Sequence, residues 1–246
     1  MTGTLSIVAT PIGNMQDISV RAVKTLISVD VIACEDTRRA GLLLQKIKEF
    51  TVIPSEIAGS QLRTTHKQRL ISFYDQVEVQ KTPEIIQLLM LGMDVALISD
   101  AGTPTVSDPG FKLIRECVKE NIPIESIPGA CAGVVALTLS GLPTDKFFFV
   151  GYPPRKNGHR MEFYQSLKVL TGYLKTTIIM YEAPHRIQAT LQELADTFGN
   201  TMYIVLAREL TKIHEEVLRG SVENLQVHFA KNTPKGEFVV LFQTEQ

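Results

Sequence analysis

Short β-branched or aliphatic runs, each followed by a segment of helical period, constrain this chain more than any other feature. The apolar runs are 5–9, 31–34, 70–74, 95–99 and 122–127, and the amphipathic segments are 20–29, 39–47, 83–91 and 111–120. Strand-sized and helix-sized patterns in alternation predict right-handed crossovers and a parallel sheet covered on both faces. Helix punctuation points the same way. Ser19 and Thr82 stand where amino-terminal caps are wanted, Pro83 and Pro109 at first-turn positions, and Gly92 where a helix closes.

After Pro128-Gly129 the pattern changes. A helix is expected over 132–139, then apolar runs at 147–150, 177–181, 202–207, 214–219 and 237–242, with helices over 160–170, 184–197 and 222–229. Only residues 208–213 separate two of these runs, which predicts an antiparallel neighbour and a mixed sheet. The expectation is therefore an α/β chain of two domains, 1–127 with a parallel sheet and 128–246 with a mixed one.

The chain has 246 residues, a net charge of −1 and 44% hydrophobic residues, so nothing in the bulk attracts a polyanion and any nucleic-acid contact must be local. Cys34, Cys117 and Cys131 show no paired spacing, so no metal site or disulfide framework is expected. The start of the chain does not read as a signal peptide, and no apolar run is long enough for a membrane span. A cytoplasmic protein is expected.

Polar loops follow five of the apolar runs. Ile98-Ser-Asp-Ala-Gly-Thr-Pro-Thr-Val-Ser-Asp-Pro-Gly110 leaves a buried strand and turns at once into small, carboxylate and proline residues. Ligands of open α/β sheets sit beyond the carboxyl ends of strands, which puts Asp100, Gly102 and Thr103 at a cofactor position; a plain strand-to-helix connection is the alternative. Thr10-Pro-Ile-Gly-Asn-Met-Gln-Asp17 has neither a dinucleotide glycine fingerprint nor a phosphate-binding loop, and reads as a rigid apolar wall or a turn. Cys34-Glu-Asp-Thr-Arg-Arg39 brings carboxylates and guanidinium groups to the same rim, where Asp36 either caps the next helix or serves as a base.

In the second half, Tyr181-Glu-Ala-Pro-His-Arg186 has Pro184 at an expected first turn, with His185 and Arg186 near a helix start suited to phosphate. Tyr152-Pro-Pro-Arg-Lys-Asn-Gly-His-Arg160 is a basic loop. Arg155, Lys156 and Arg160 are either solvated surface or contacts for a nucleic-acid backbone. Neutral, backbone-rich loops combined with charged ones suit a cleft between two domains, with a cofactor on one side and a charged polymer on the other.

Thr10-Pro-Ile-Gly-Asn14, Glu35-Asp-Thr-Arg38, Ser99-Asp-Ala-Gly-Thr-Pro104 with Ser107-Asp-Pro-Gly110, and Tyr181-Glu-Ala-Pro-His-Arg186, together with Ser140-Gly-Leu-Pro-Thr-Asp145, Ala207-Arg-Glu-Leu-Thr-Lys212 and Lys235-Gly-Glu237, resemble the tetrapyrrole methylase superfamily. Within it they resemble the branch that methylates the 2'-hydroxyl of a cytidine in small-subunit ribosomal RNA. The similarity runs from Leu5 to about Phe242. It implies S-adenosylmethionine as methyl donor, a homodimer, and a cofactor cleft between the domains.

Carried over by position, the resemblance implies cofactor contacts at Pro11, Ile12, Asp100, Gly102, Thr103, Cys131, Ala132 and Ala207. It implies RNA contacts at Asn14, Thr37, Arg38, Arg155, Lys156, Arg160 and Arg186, and leaves Glu35, Asp36 and His185 as candidates for the base. The chain departs from the family at Ser72-Phe-Tyr-Asp-Gln-Val-Glu78, where a segment rich in histidine and asparagine is usual, and it lacks a carboxyl-terminal extension common in relatives. Two other readings stay open: a methylase for a tetrapyrrole or other small substrate, and a catalytically silent RNA-binding assembly factor.

Overall fold

The alternating pattern resolves into two α/β units, Met1–Cys131 and Ala132–Gln246, in a computed structural model that describes residues 1–49 and 68–244. Among the described residues of the first unit, five parallel strands form one sheet: β1 (Leu5–Val8), β2 (Val31–Cys34), β3 (Arg69–Ser72), β4 (Val95–Ile98) and β5 (Ile124–Ile127). Their spatial order is β3-β2-β4-β1-β5, with Leu5 opposite Val95 and Val31 opposite Val95 on the other side.

Side chains on a strand alternate between faces, and the core divides accordingly. Leu5, Ile7, Val31, Ala33, Val95 and Leu97 pack with residues of α3 (Glu78–Met90) and α4 (Phe111–Lys119). Val8, Ile32, Cys34, Ala96 and Ile98 pack with residues of α1 (Val20–Ser28) and α2 (Thr37–Glu49). Burying a leucine such as Leu26 or Leu89, both fully enclosed, contributes roughly 1.5–3 kcal/mol.

The caps partly follow expectation. The Ser19 hydroxyl accepts from Ala22 N, and Gly92 takes φ +86 just past α3. Pro83 differs, because α3 begins five residues earlier, at Glu78, and Pro83 lies inside it. Thr82 is not a cap but donates back to the Glu78 carbonyl at 2.8 Å. Pro109 stands before the Gly110 cap of α4, outside the first turn, and Pro184 lies in the turn before α7 (Ile187–Phe198).

The early start of α3 gives Glu78 a task. Its buried carboxylate accepts from Gly110 N at 2.9 Å and Lys112 N at 3.0 Å, so a side chain of one helix satisfies free donors at the start of the next. A groove of about 610 Å³ lies between these helices, lined by residues of α3 and α4 and by none of the strand-end loops.

The second unit is a mixed sheet, with β6 (Phe147–Phe149), β7 (Thr177–Glu182), β8 (Tyr203–Arg208), β9 (Glu216–Ser221) and β10 (Phe238–Phe242) in the order β6-β7-β10-β8-β9. β6 and β7 are parallel, and every other pairing is antiparallel, including β8 with β9 across the short connection. One face packs on α6 (Asn157–Tyr173), α7 and α8 (Val222–Lys231) through Tyr164, Leu191, Leu225 and neighbours. α5 (Ala132–Ser140) runs against β7, β8, β9 and β10. No helix among the described residues is long and apolar enough to cross a membrane.

Candidate functional site

In the first unit the loops after β1, β2 and β4 meet because their strands are neighbours in the sheet. Thr10 and Gly102 exchange backbone hydrogen bonds, Thr10 N to Gly102 O at 2.8 Å and Gly102 N to Thr10 O at 3.1 Å. Gly102 has φ +85, and a Cβ there would stand 3.3 Å from Ile12 Cγ2 and 3.6 Å from the Ala130 carbonyl oxygen. Only glycine takes this turn without strain and leaves that space open. The Thr103 hydroxyl donates to the Ala130 carbonyl at 2.9 Å. Pro11, Ile12, Gly102, Thr103 and the segment leading to Cys131 thus converge on one end of the sheet.

The charged members converge beside them. Glu35 Oε1 accepts from Asp100 N at 3.1 Å, Asp36 N donates to Asp100 Oδ1 at 3.3 Å, and Arg39 reaches Asp100 Oδ2 at 3.2 Å. Burial pushes the Glu35 carboxyl above its ordinary range, and the Asp100 amide hydrogen bond opposes the rise. Asp36 behaves in the opposite way. Its side chain accepts from Arg38 N at 2.8 Å as a helix cap and holds the Arg38 guanidinium at 2.7 Å, and that pairing lowers its carboxyl to about 2. A carboxylate so well satisfied is a weak proton acceptor.

Sequence reasoning missed Asp108. Burial, with Glu35, Asp100 and Asp75 nearby, raises its carboxyl to about 7, and a hydrogen bond with Ser99 opposes that rise. The signal available was its place in Ser107-Asp-Pro-Gly110, a carboxylate packed into a loop with left-handed backbone at Thr105 and Ser107, φ +72 and +66. Of the residues expected to touch RNA in this unit, Asn14 caps the short 3-10 turn Met15–Asp17, Thr37 opens α2, and Arg38 is exposed beside Asp36.

In the second unit, Ala132 opens α5, and Ala207 is buried in β8 between Val239 and Val217. His185 is exposed in the turn before α7. Arg155 and Lys156 are exposed at the start of α6.

Arg160 and Arg186 are corrected by the structure. Arg160 is buried, and its Nε and Nη2 each stand 2.5 Å from a Glu193 carboxylate oxygen. Arg186 pairs with the fully enclosed Glu182 at 3.1 Å and donates to Pro153 O and Pro154 O. Both guanidinium groups are committed inside the fold, so neither is a free cation for a phosphate. Among the described residues, no cluster of three or more His, Cys, Asp or Glu is placed to hold a metal.

Two five-stranded sheets, one parallel and one mixed, define an α/β protein of two units, and comparison makes the assignment specific. Residues 4–226 match the family described as Tetrapyrrole (Corrin/Porphyrin) Methylases, and the chain belongs to it. It is 44% identical over 97% of its length to the ribosomal RNA small subunit methyltransferase I of Synechocystis, covering 78% of that protein. Proteins of the same name from Hydrogenobaculum and Thermotoga maritima are 43% and 39% identical, over 98% and 99% of this chain and 96% and 100% of theirs. The fold is shared with diphthine synthase, at TM-score 0.67 and 15% identity over 99% of this chain and 91% of that one. It is also shared with uroporphyrin-III-C-methyltransferase from Thermus thermophilus, at 0.59 and 19% over 99% and 94%.

Proposed function

We propose that this protein transfers a methyl group from S-adenosylmethionine to the 2'-hydroxyl of a cytidine in small-subunit ribosomal RNA. The observation that carries the reading is similarity of 39–44% along almost the whole chain to proteins named for small-subunit ribosomal RNA methylation, against 11–19% to the solved structures it resembles. The strand-end loops suit the donor. The space that a side chain at Gly102 would fill, walled by Ile12, offers an apolar face beside backbone groups, and Asp100 and Glu35 supply negative charge near it.

When bound, S-adenosylmethionine supplies a methyl group already activated on a sulfonium centre. The chain's own residues then have two tasks, to align the acceptor oxygen and to take its proton. Pro11, Ile12, Asp100, Gly102, Thr103, Cys131, Ala132 and Ala207 are the cofactor contacts in this reading. Glu35 suits the base role better than Asp36, since burial raises one carboxyl and Arg38 lowers the other. Asp108, raised to about 7, joins Glu35 and His185 as a candidate. Arg155, Lys156 and Arg38 are exposed cations for the RNA backbone. A cytoplasmic homodimer completes the reading.

The test is to map 2'-O-methyl marks on ribosomal RNA from cells with and without the protein. One cytidine mark lost with the gene and restored with it is the expected result. An unchanged pattern in cells whose purified protein binds S-adenosylmethionine would move the assignment to a small-molecule methylase.

A further inference from the structure

The segment Gly151-Tyr-Pro-Pro-Arg-Lys156 leaves the edge strand β6 through a left-handed glycine, φ +66, and is held in an unusual way. Pro153 and Pro154 have no N–H, so at these two residues the backbone can be hydrogen-bonded only through its carbonyl groups. Arg186 Nη2 donates to Pro153 O at 3.0 Å and Pro154 O at 3.3 Å, and Arg160 Nη1 donates to Arg155 O at 3.0 Å and Pro154 O at 3.4 Å. Each arginine is neutralised from within. Glu182, fully enclosed, faces Arg186 and also accepts from the Thr190 hydroxyl at 2.6 Å and from Ala183 N at 2.9 Å. Glu193 faces Arg160 and also accepts from Asn157 Nδ2 at 2.9 Å.

Two buried ion pairs are a costly way to fasten a surface loop, because desolvation of the charges offsets much of their attraction and apolar packing would hold it as well. What they fix is the position of the backbone, and with it three exposed side chains. Tyr152 retains 53% of its surface and packs edge-on against Tyr181, ring centres 5.6 Å apart, with Phe149 beyond at 4.9 Å from Tyr181. The Tyr181 hydroxyl in turn accepts from Gly133 N at 3.3 Å. Arg155 and Lys156 follow Tyr152 by three and four residues, both exposed. An exposed aromatic ring beside cations on a rigid backbone is the composition of a single-stranded nucleic-acid contact.

We propose that residues 152–156 form a preset contact for single-stranded RNA, in which Tyr152 stacks on a base, Arg155 and Lys156 take flanking phosphates, and the Arg160–Glu193 and Arg186–Glu182 pairs are positioning residues beneath it. The proposal rests on the ribosomal RNA reading and adds the element that grips the strand.

The experiment measures binding of a labelled, unstructured cytidine-containing oligoribonucleotide to the full chain over a range of salt. Tyr152→Ala is expected to bind at least about fivefold more weakly with an unchanged salt slope, and Tyr152→Phe to bind as the parent does. Arg155→Ala and Lys156→Ala should each reduce the slope of log K against log salt by about 0.7. Glu193→Gln, which leaves every exposed cation in place, should weaken RNA binding while S-adenosylmethionine affinity stays the same.

Tyr152→Ala binding within twofold of the parent overturns the proposal even if Glu193→Gln proves unstable. Equal RNA affinity in a folded Glu193→Gln overturns the positioning role. A parent protein that binds no RNA overturns the ribosomal RNA reading along with it, so the two failures are told apart.

Discussion

Arg160 and Glu193 meet side by side, Nε and Nη2 each 2.5 Å from a carboxylate oxygen, with both side chains almost wholly enclosed. Removing one partner strands the other charge in the fold. Glu193→Ala should therefore lose roughly 3–5 kcal/mol in urea unfolding, whereas Arg160→Met with Glu193→Leu should recover most of that. Equal losses in the single and double variants would show that apolar packing cannot replace the pair and that a stranded charge is not the source of the loss.

Asp108 makes stability depend on pH in a set direction. Its carboxyl rises from an ordinary 3.8 to about 7 on folding, so between those values the native state holds a proton that the unfolded chain has released. Stability from this group is then lost as pH climbs from about 4 to about 7. Asp108→Asn should flatten that part of the stability profile and be relatively more stable above pH 7. Thermal unfolding across pH 4–8 reads it, and parallel profiles for parent and variant would refute the assignment.

Asp100→Ala combined with Thr103→Ala removes the Arg39 ion pair and the tie to the Ala130 carbonyl. Affinity for S-adenosylmethionine, followed by isothermal titration, should fall at least about tenfold, the effect of losing roughly 1.4 kcal/mol. Circular dichroism should stay unchanged. Unaltered affinity would remove this loop from the cofactor site.

Gly110 has φ +131, and a Cβ there would lie 2.6 Å from Leu97 Cδ2 and 2.9 Å from Thr105 Cγ2. Gly110→Ala combines backbone strain with overpacking and should destabilise the protein by about 2–4 kcal/mol in denaturant titration. A loss under about 0.5 kcal/mol would mean that the loop relaxes freely.

The central strands were legible because they are dense apolar runs, and the mixed second sheet because six residues between two runs leave no room for a crossover helix. Prolines misled where residues beyond the proline decide the geometry. Pro83 reads as a helix start, yet Glu78 is drawn into α3 by two backbone donors of α4 that lie more than thirty positions away in sequence. Arg160 reads as a surface cation because its partner Glu193 comes from another helix, and Arg186 because its partner Glu182, only four residues back, ends a strand whose burial the sequence does not announce. Asp108 escaped notice for the same reason, since its neighbours Glu35 and Asp75 come from the ends of other strands. The convergence of Ile12 with Gly102 and Thr103 was readable because the loops that carry them follow the carboxyl ends of two apolar runs, β1 and β4.

The strand order of the first sheet also bears on how the protein is made. β1 pairs on one side with β4 and on the other with β5, and β2 is flanked by β3 and β4. As the chain emerges from the ribosome, its first strand has no ladder partner until about ninety further residues have appeared. The opening segment must wait, apolar and unpaired, so nascent chains halted before β4 should depend on chaperones in a way that those halted after β5 do not.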